Sequence, residues 1–206
     1  MDVRLTADDG YQTQRSYSIA SPQSTDERLT LTIERLDDGE VSPYLARELH
    51  AGDQLELRGP IGGYFVWAPA LGGPLLLIAG GSGSCPLMAM LRLRQAAGST
   101  VPARLLYSSR SLDEVIYRSE LARLVAAGSG LEVMLTLTRA QPPGWTGLHR
   151  RIDTEMLQSV AWSPAERPWI FICGPTPLVE TAASALVDLG HEPARIKTER
   201  FGPTGG

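Results

Sequence analysis

The sequence predicts an antiparallel β unit over residues 1–70, followed by an α/β unit over residues 71–206 built on a five-stranded parallel sheet with flanking helices. Three observations carry this. Residues 28–36, RLTLTIERL, alternate Leu29, Leu31 and Ile33 with Thr30, Thr32 and Glu34, the mark of a half-buried antiparallel strand. Residues 75–79, LLLIA, are apolar without a break, as in a parallel strand covered on both faces. After the linker Leu71, Gly72, Gly73, Pro74 the rhythm becomes strand, helix, strand, helix.

In the first unit, residues 3–7, 14–21, 28–36 and 53–61 read as strands, with Asp37, Asp38 and Gly39 as a turn. Residues 41–50 read as a short helix capped by Ser42, with Pro43 at its first position. In the second unit the strands are 75–79, 103–108, 131–138, 168–173 and 195–201, and the helices 86–97, 112–127, 153–160 and 177–189. Ser111 and Glu114 form a capping-box pattern for the helix at 112–127; Thr176 is placed to cap the last helix, and Gly190 stops it.

Composition excludes several function classes. A length of 206 residues suits one large domain or two small ones, and 43% hydrophobic with 20% charged residues is ordinary for a globular protein. A net charge of −4 without any Lys/Arg run argues against a nucleic-acid partner. Lys197 is the only lysine, so nearly all cations are arginines, whose forks suit phosphate and carboxylate. Cys85 and Cys173 are too few for a disulfide framework or a cysteine-ligated iron–sulfur cluster, so no metal is expected and the compartment reads as reducing cytoplasm. The start, MDVRLTADDG, lacks signal-peptide order, and the apolar run 74–79 is too short to span a bilayer, so no membrane insertion is expected.

Two strings carry chemistry. Ala79-Gly80-Gly81-Ser82-Gly83-Ser84-Cys85-Pro86 follows a buried strand and opens a helix. Glycines there let a ligand approach the backbone, and the free amides of the helix start face an anion, naturally a pyrophosphate. Pro86 replaces the third glycine of G-x-G-x-x-G, and no Lys-Ser/Thr follows to make a P-loop. In Arg15-Ser16-Tyr17-Ser18, Arg15 and Tyr17 share a strand face, an arrangement suited to a phosphate and a flat ring.

The order RSYS, GEVSPYL, GGSGSCPLMAML, CGP and ERF resembles the ferredoxin–NADP reductase family of flavoenzymes over nearly the whole chain. The resemblance implies an FAD-binding antiparallel barrel and an NAD(P)-binding α/β domain, with hydride passing from NAD(P)H to FAD and electrons then going to a ferredoxin, an oxygenase component or a small-molecule acceptor. It implies that Arg15 pairs with flavin phosphate, Tyr17 flanks the isoalloxazine and Ser18 lies near flavin N5. Ile33, Glu34 and Arg35 would run along the ring edge and ribityl chain, and Gly39, Glu40, Val41 and Ser42 would receive the FAD pyrophosphate. Gly80, Gly81, Ser82 and Gly83 match the nicotinamide dinucleotide pyrophosphate site. Cys173, Gly174 and Pro175 match the turn beside the nicotinamide, and Glu199 and Phe201 match an acid and an aromatic ending the last strand. Ser18, Cys173, Glu199 and Phe201 are the implied hydride-transfer residues.

The 2′-phosphate of NADPH demands cations. Arg110 and Arg139 follow the second and third strands of the α/β unit, and Arg118 lies between them, so NADPH is expected over NADH. Against the family pattern, only 14 residues precede Arg15, so the first two barrel strands are expected to be missing, and with two cysteines no iron–sulfur module is expected in these residues. The competing readings are a truncated, non-catalytic dinucleotide-binding module of a larger electron-transfer complex, and a dehydrogenase without flavin. The second needs a proton-transfer residue, and His50, His149 and His191 follow no such motif; exposed loop or helix-end positions are expected for them.

Overall fold

Val3, Ala20 and Val41, each at most 1% exposed, mark the core of the N-terminal part of the chain. The computed structural model describes residues 1–7, 9–22, 28–36 and 38–201 and divides into two compact units, Met1–Gly63 and Tyr64–Gly206. In the first, strands β1 (Asp2–Thr6), β2 (Gln12–Ser16) and β3 (Glu56–Arg58) form an antiparallel sheet of order β2-β1-β3. Val3 sits between Arg15 on one side and Leu57 on the other. Pairing continues past β2, where the Tyr17 amide donates to the Met1 carbonyl at 2.8 Å.

The expected strand at 28–36 is not formed. Among its described neighbours only Leu31 bridges Ile19, and the Ala20 amide donates to the Thr30 carbonyl. Alternation reports which face is apolar, not whether a partner strand lies within reach; Leu29 and Leu36 are exposed. Of the strand expected at 53–61, only Glu56–Arg58 pairs. The helix α1 is shorter than expected, Val41–Arg47, and its cap position is Glu40, not Ser42. Ser42 lies inside the first turn and its hydroxyl instead accepts the Leu36 amide at 3.0 Å. Asp37, part of the expected turn, lies outside the described residues.

The second unit runs β4 (Leu75–Gly80), α2 (Ser84–Ala96), β5 (Ala103–Ser109), α3 (Arg118–Ala126), β6 (Leu131–Leu137), α4 (Thr154–Val160), β7 (Trp169–Pro175), α5 (Thr176–Asp188) and β8 (Ile196–Phe201). The five strands are parallel, in order β6-β5-β4-β7-β8. Every residue of β4 is buried. Leu75, Leu77 and Ala79 join one apolar layer with Leu87, Met88 and Leu121; Leu76 and Ile78 join the other with Met156, Leu157 and Val179. Helices on both faces therefore require the unbroken apolar run.

Three local expectations fail here. The helix expected from residue 112 begins only at Arg118, behind Tyr117 in the left-handed region (φ 61°). The Ser111 hydroxyl donates to the Glu114 side chain, and the cap position of α3 is Tyr117. Thr176 does not cap α5, whose cap position is Pro175. Asp153 does cap α4, accepting the Met156 amide at 2.8 Å. Among the described residues no helix is long and apolar enough to cross a membrane.

Candidate functional site

Two turns meet at the carboxyl ends of β4 and β7. These are neighbouring strands, and the strand order reverses between them: the chain goes from β4 out to β5 and β6, then returns to β7 on the other side. A crevice outside such a switch point is where open α/β sheets bind ligands. The β4 turn is Gly80, Gly81, Ser82 and Gly83, continuing directly into α2. The β7 turn is Cys173, Gly174 and Pro175.

The glycines are required by this contact. A Cβ on Gly83 would lie 2.1 Å from the Cys173 carbonyl oxygen, and one on Gly80 would lie 2.8 Å from Leu178 and 2.9 Å from Pro175. Gly81 differs: its φ is +54° and the space in front of it is open. That opening suits a phosphate held by main-chain amides, since the first amides of a helix have no intrahelical partner. Ser84, behind the turn, is 1% exposed and its hydroxyl has no hydrogen-bond partner among the described residues. An orphaned buried hydroxyl and an open glycine face both fit an anion-binding turn.

Cys173 is fully buried, and its register partners are Ala79 in β4 and Glu199 in β8. Its thiol donates to Glu199 Oε2 at 3.9 Å. Burial first, then the Glu199 charge, pushes the thiol far above its ordinary range, and the Cys85 thiol nearby adds to this. Burial also raises the Glu199 carboxyl. The pair is therefore a neutral thiol beside a carboxyl that holds its proton unusually well. Phe201, half-buried, packs against the same core cluster as Cys173.

Arg110 and Arg139 are brought side by side, because the Arg139 and Ala140 amides donate to the Arg110 carbonyl at 2.9 and 3.0 Å. Arg110 pairs with Glu114 at 2.5 Å, and Arg118 approaches Asp113 at 4.0 Å. Arg139 is exposed.

In the first unit Arg15 is exposed on β2, and its guanidinium donates to the Gln14 carbonyl at 2.9 Å. Tyr17 and Ser18 are half-buried immediately after the strand, and burial raises the Tyr17 phenol. Ile33, Glu34 and Arg35 lie in irregular chain before α1. At the start of α1, the Tyr11 hydroxyl donates to Glu40 Oε2 at 3.1 Å. Gly39 and Val41 flank Glu40, and a Cβ on Gly39 would press on the Ser42 hydroxyl at 3.2 Å. Arg15, Tyr17 and Ser18 place an arginine, an aromatic and a hydroxyl within four residues, groups suited to a phosphate and a flat ring.

His191 takes the helix-end position, just after α5, but is buried there, and burial lowers its imidazole. His50 and His149 are exposed. Sequence reasoning gave no role to Ser84 or to Tyr107, whose hydroxyl donates to the Gly81 carbonyl at 3.0 Å. No spacing signals that a strand tyrosine reaches a glycine turn.

Residues 77–184 match the family model of the oxidoreductase NAD-binding domain, and residues 1–66 that of the oxidoreductase FAD-binding domain. The chain is 32% identical over 197 residues to ferredoxin–NADP reductase B of Sorangium cellulosum, covering 93% of this chain and 80% of that protein. It is 31% identical over 199 residues to the glycine betaine monooxygenase reductase subunit of Chromohalobacter salexigens, covering 95% of this chain and 53% of that subunit. The chain thus spans about half the length of several curated relatives it matches. Among solved structures, the FAD/NAD-binding domain of nitric oxide dioxygenase from Vibrio cholerae superposes with a TM-score of 0.85 at 25% identity, over 98% of this chain and 83% of that one. A cytochrome P450 reductase from Amycolatopsis gives 0.80 at 25% identity, over 99% and 60%.

Proposed function

Because the chain belongs to the ferredoxin–NADP reductase family of oxidoreductases, with an FAD-binding and an NAD-binding domain, we propose that it is a flavin-dependent NAD(P)H reductase. It moves a hydride from NAD(P)H to FAD and passes electrons to a ferredoxin, an oxygenase component or a small-molecule acceptor. The observation that carries this is the packing of the glycine turn on the Cys173, Gly174, Pro175 turn at the strand-order switch. Its similarity to a ferredoxin–NADP reductase and to a monooxygenase reductase subunit supports these acceptor classes.

When bound, the two cofactors supply the hydride chemistry themselves; the protein supplies position and electrostatics. In this reading Gly80, Gly81, Ser82 and Gly83 hold the dinucleotide pyrophosphate, and Cys173, Gly174 and Pro175 bound the nicotinamide. Cys173 offers a small uncharged wall and Glu199 a carboxyl that retains its proton. Phe201 excludes water from a flat ring. Arg15 neutralises flavin phosphate, Tyr17 covers the isoalloxazine and Ser18 offers a hydroxyl to flavin N5. Ile33, Glu34 and Arg35 follow the ring edge and ribityl chain, and Gly39, Glu40, Val41 and Ser42 receive the flavin pyrophosphate.

The side-by-side Arg110 and Arg139 favour NADPH, with NADH as the weaker cosubstrate. A functional division at residue 70/71 falls between the two family matches, which end at 66 and begin at 77. Two buried cysteines suit a reducing cytoplasm. The test is colour: the purified chain incubated with FAD should be yellow after desalting and should bleach anaerobically on NADPH addition. A chain that retains no flavin at any concentration removes the proposal.

A further inference from the structure

Tyr107 lies in the middle of a buried parallel strand, is fully buried, and uses its phenol on two backbone groups far apart in sequence. The hydroxyl donates to the Gly81 carbonyl at 3.0 Å and accepts the Ile116 amide at 3.2 Å. The Gly81 carbonyl also accepts the Ser84 amide that opens α2. Two donors thus hold this carbonyl turned towards the core.

The consequence follows from peptide geometry. In a trans peptide the carbonyl and the next amide point in opposite directions. Holding the Gly81 carbonyl inward therefore aims the Ser82 amide away from the core; Gly81 and Ser82 are both partly exposed, and a Cβ on Gly81 would meet open space. We propose that Tyr107 is the positioning residue that presets the Ser82 amide as a donor to a dinucleotide pyrophosphate, an inference that rests on the reductase reading. Its second bond, to Ile116, ties the same phenol to the loop between β5 and α3. The Arg110 carbonyl at the start of that loop keeps its own partners, the Arg139 and Ala140 amides.

Tyr107→Phe keeps the ring and its packing and removes only the hydroxyl. Binding of NADP+ and NAD+ is measured by calorimetry, with steady-state KM and kcat alongside. For the dinucleotide the wild type binds better, Kd should rise about five- to thirty-fold, because the Ser82 amide is no longer held in its aim at the anion. KM should rise in parallel, while kcat stays within about twofold. In the nitrogen-15-labelled chain, inorganic pyrophosphate should move the Ser82 amide resonance in wild type, and less in Tyr107→Phe at equal concentration. Unchanged Kd and an unchanged Ser82 response in Tyr107→Phe overturn this inference alone. A wild type that binds neither dinucleotide overturns the reductase reading together with it.

Discussion

Cys173 and Glu199 face each other in the register of two parallel strands, and the thiol donates to the carboxyl Oε2 across 3.9 Å. Both groups are shifted towards their protonated forms, chiefly by burial. A folded state that holds the carboxyl proton more tightly than the unfolded chain binds more protons there, so stability falls as pH rises from the ordinary carboxyl value of 4.5 through the raised one. Glu199→Gln should remove this slope. Denaturant midpoints from about pH 4 to pH 8 in both proteins decide it; parallel curves would mean that Glu199 titrates like an exposed acid.

His191 works in the opposite sense. Burial lowers its imidazole below the ordinary 6.5, so the unfolded chain binds the proton more readily than the folded one. Its contribution is present above 6.5 and is lost as pH falls through the lowered value. His191→Phe should flatten the stability loss just below the ordinary histidine range. A variant that loses stability as steeply as the parent there contradicts the assignment.

The two glycine environments predict different costs. Gly83→Ala places a Cβ 2.1 Å from the Cys173 carbonyl oxygen, so backbone must move; the expected loss is about 3 kcal/mol or more. Gly81→Ala meets open space but keeps a φ of +54°, for about 1–2 kcal/mol. Thermal unfolding should rank Gly83→Ala well below Gly81→Ala, and equal losses would show that the two turns are not in fixed contact.

The proposed preference for NADPH rests on Arg110 and Arg139. Arg139→Ala should lower kcat/KM for NADPH about ten- to a hundred-fold, the range for a charged hydrogen bond, and leave NADH within about twofold. Arg110→Ala should act less strongly, because its guanidinium is already shared with Glu114. Parallel losses with both cosubstrates would remove the 2′-phosphate from the argument.

On the flavin side, Arg15→Ala and Ser18→Ala should separate binding from chemistry. The first should release FAD on desalting; the second should keep it but slow anaerobic reduction about ten-fold or more. Flavin absorbance after desalting measures the first and stopped-flow absorbance with NADPH the second; a Ser18→Ala chain reduced at the wild-type rate takes Ser18 out of the reaction.

The glycine turn, the five α/β strands and most helices were legible because their signals are local: an unbroken apolar run states burial on two faces, and clustered glycines state a backbone that others approach. Where the signal was local but the outcome depended on a partner, the reading failed. Residues 28–36 alternate like a strand yet, among the described residues, form an isolated bridge at Leu31 and no strand, and the region from residue 112 carries a capping pattern yet turns helical at Arg118. Strand order had no local trace at all. Hydrogen bonding between β4 and β7 decided that Gly83 and Cys173, far apart in the chain, would touch, and the depth of β5 decided that the Tyr107 phenol would reach Gly81. Periodicity records which side of an element is apolar; only the assembled sheet sets which backbone groups stand within a hydrogen bond of one another.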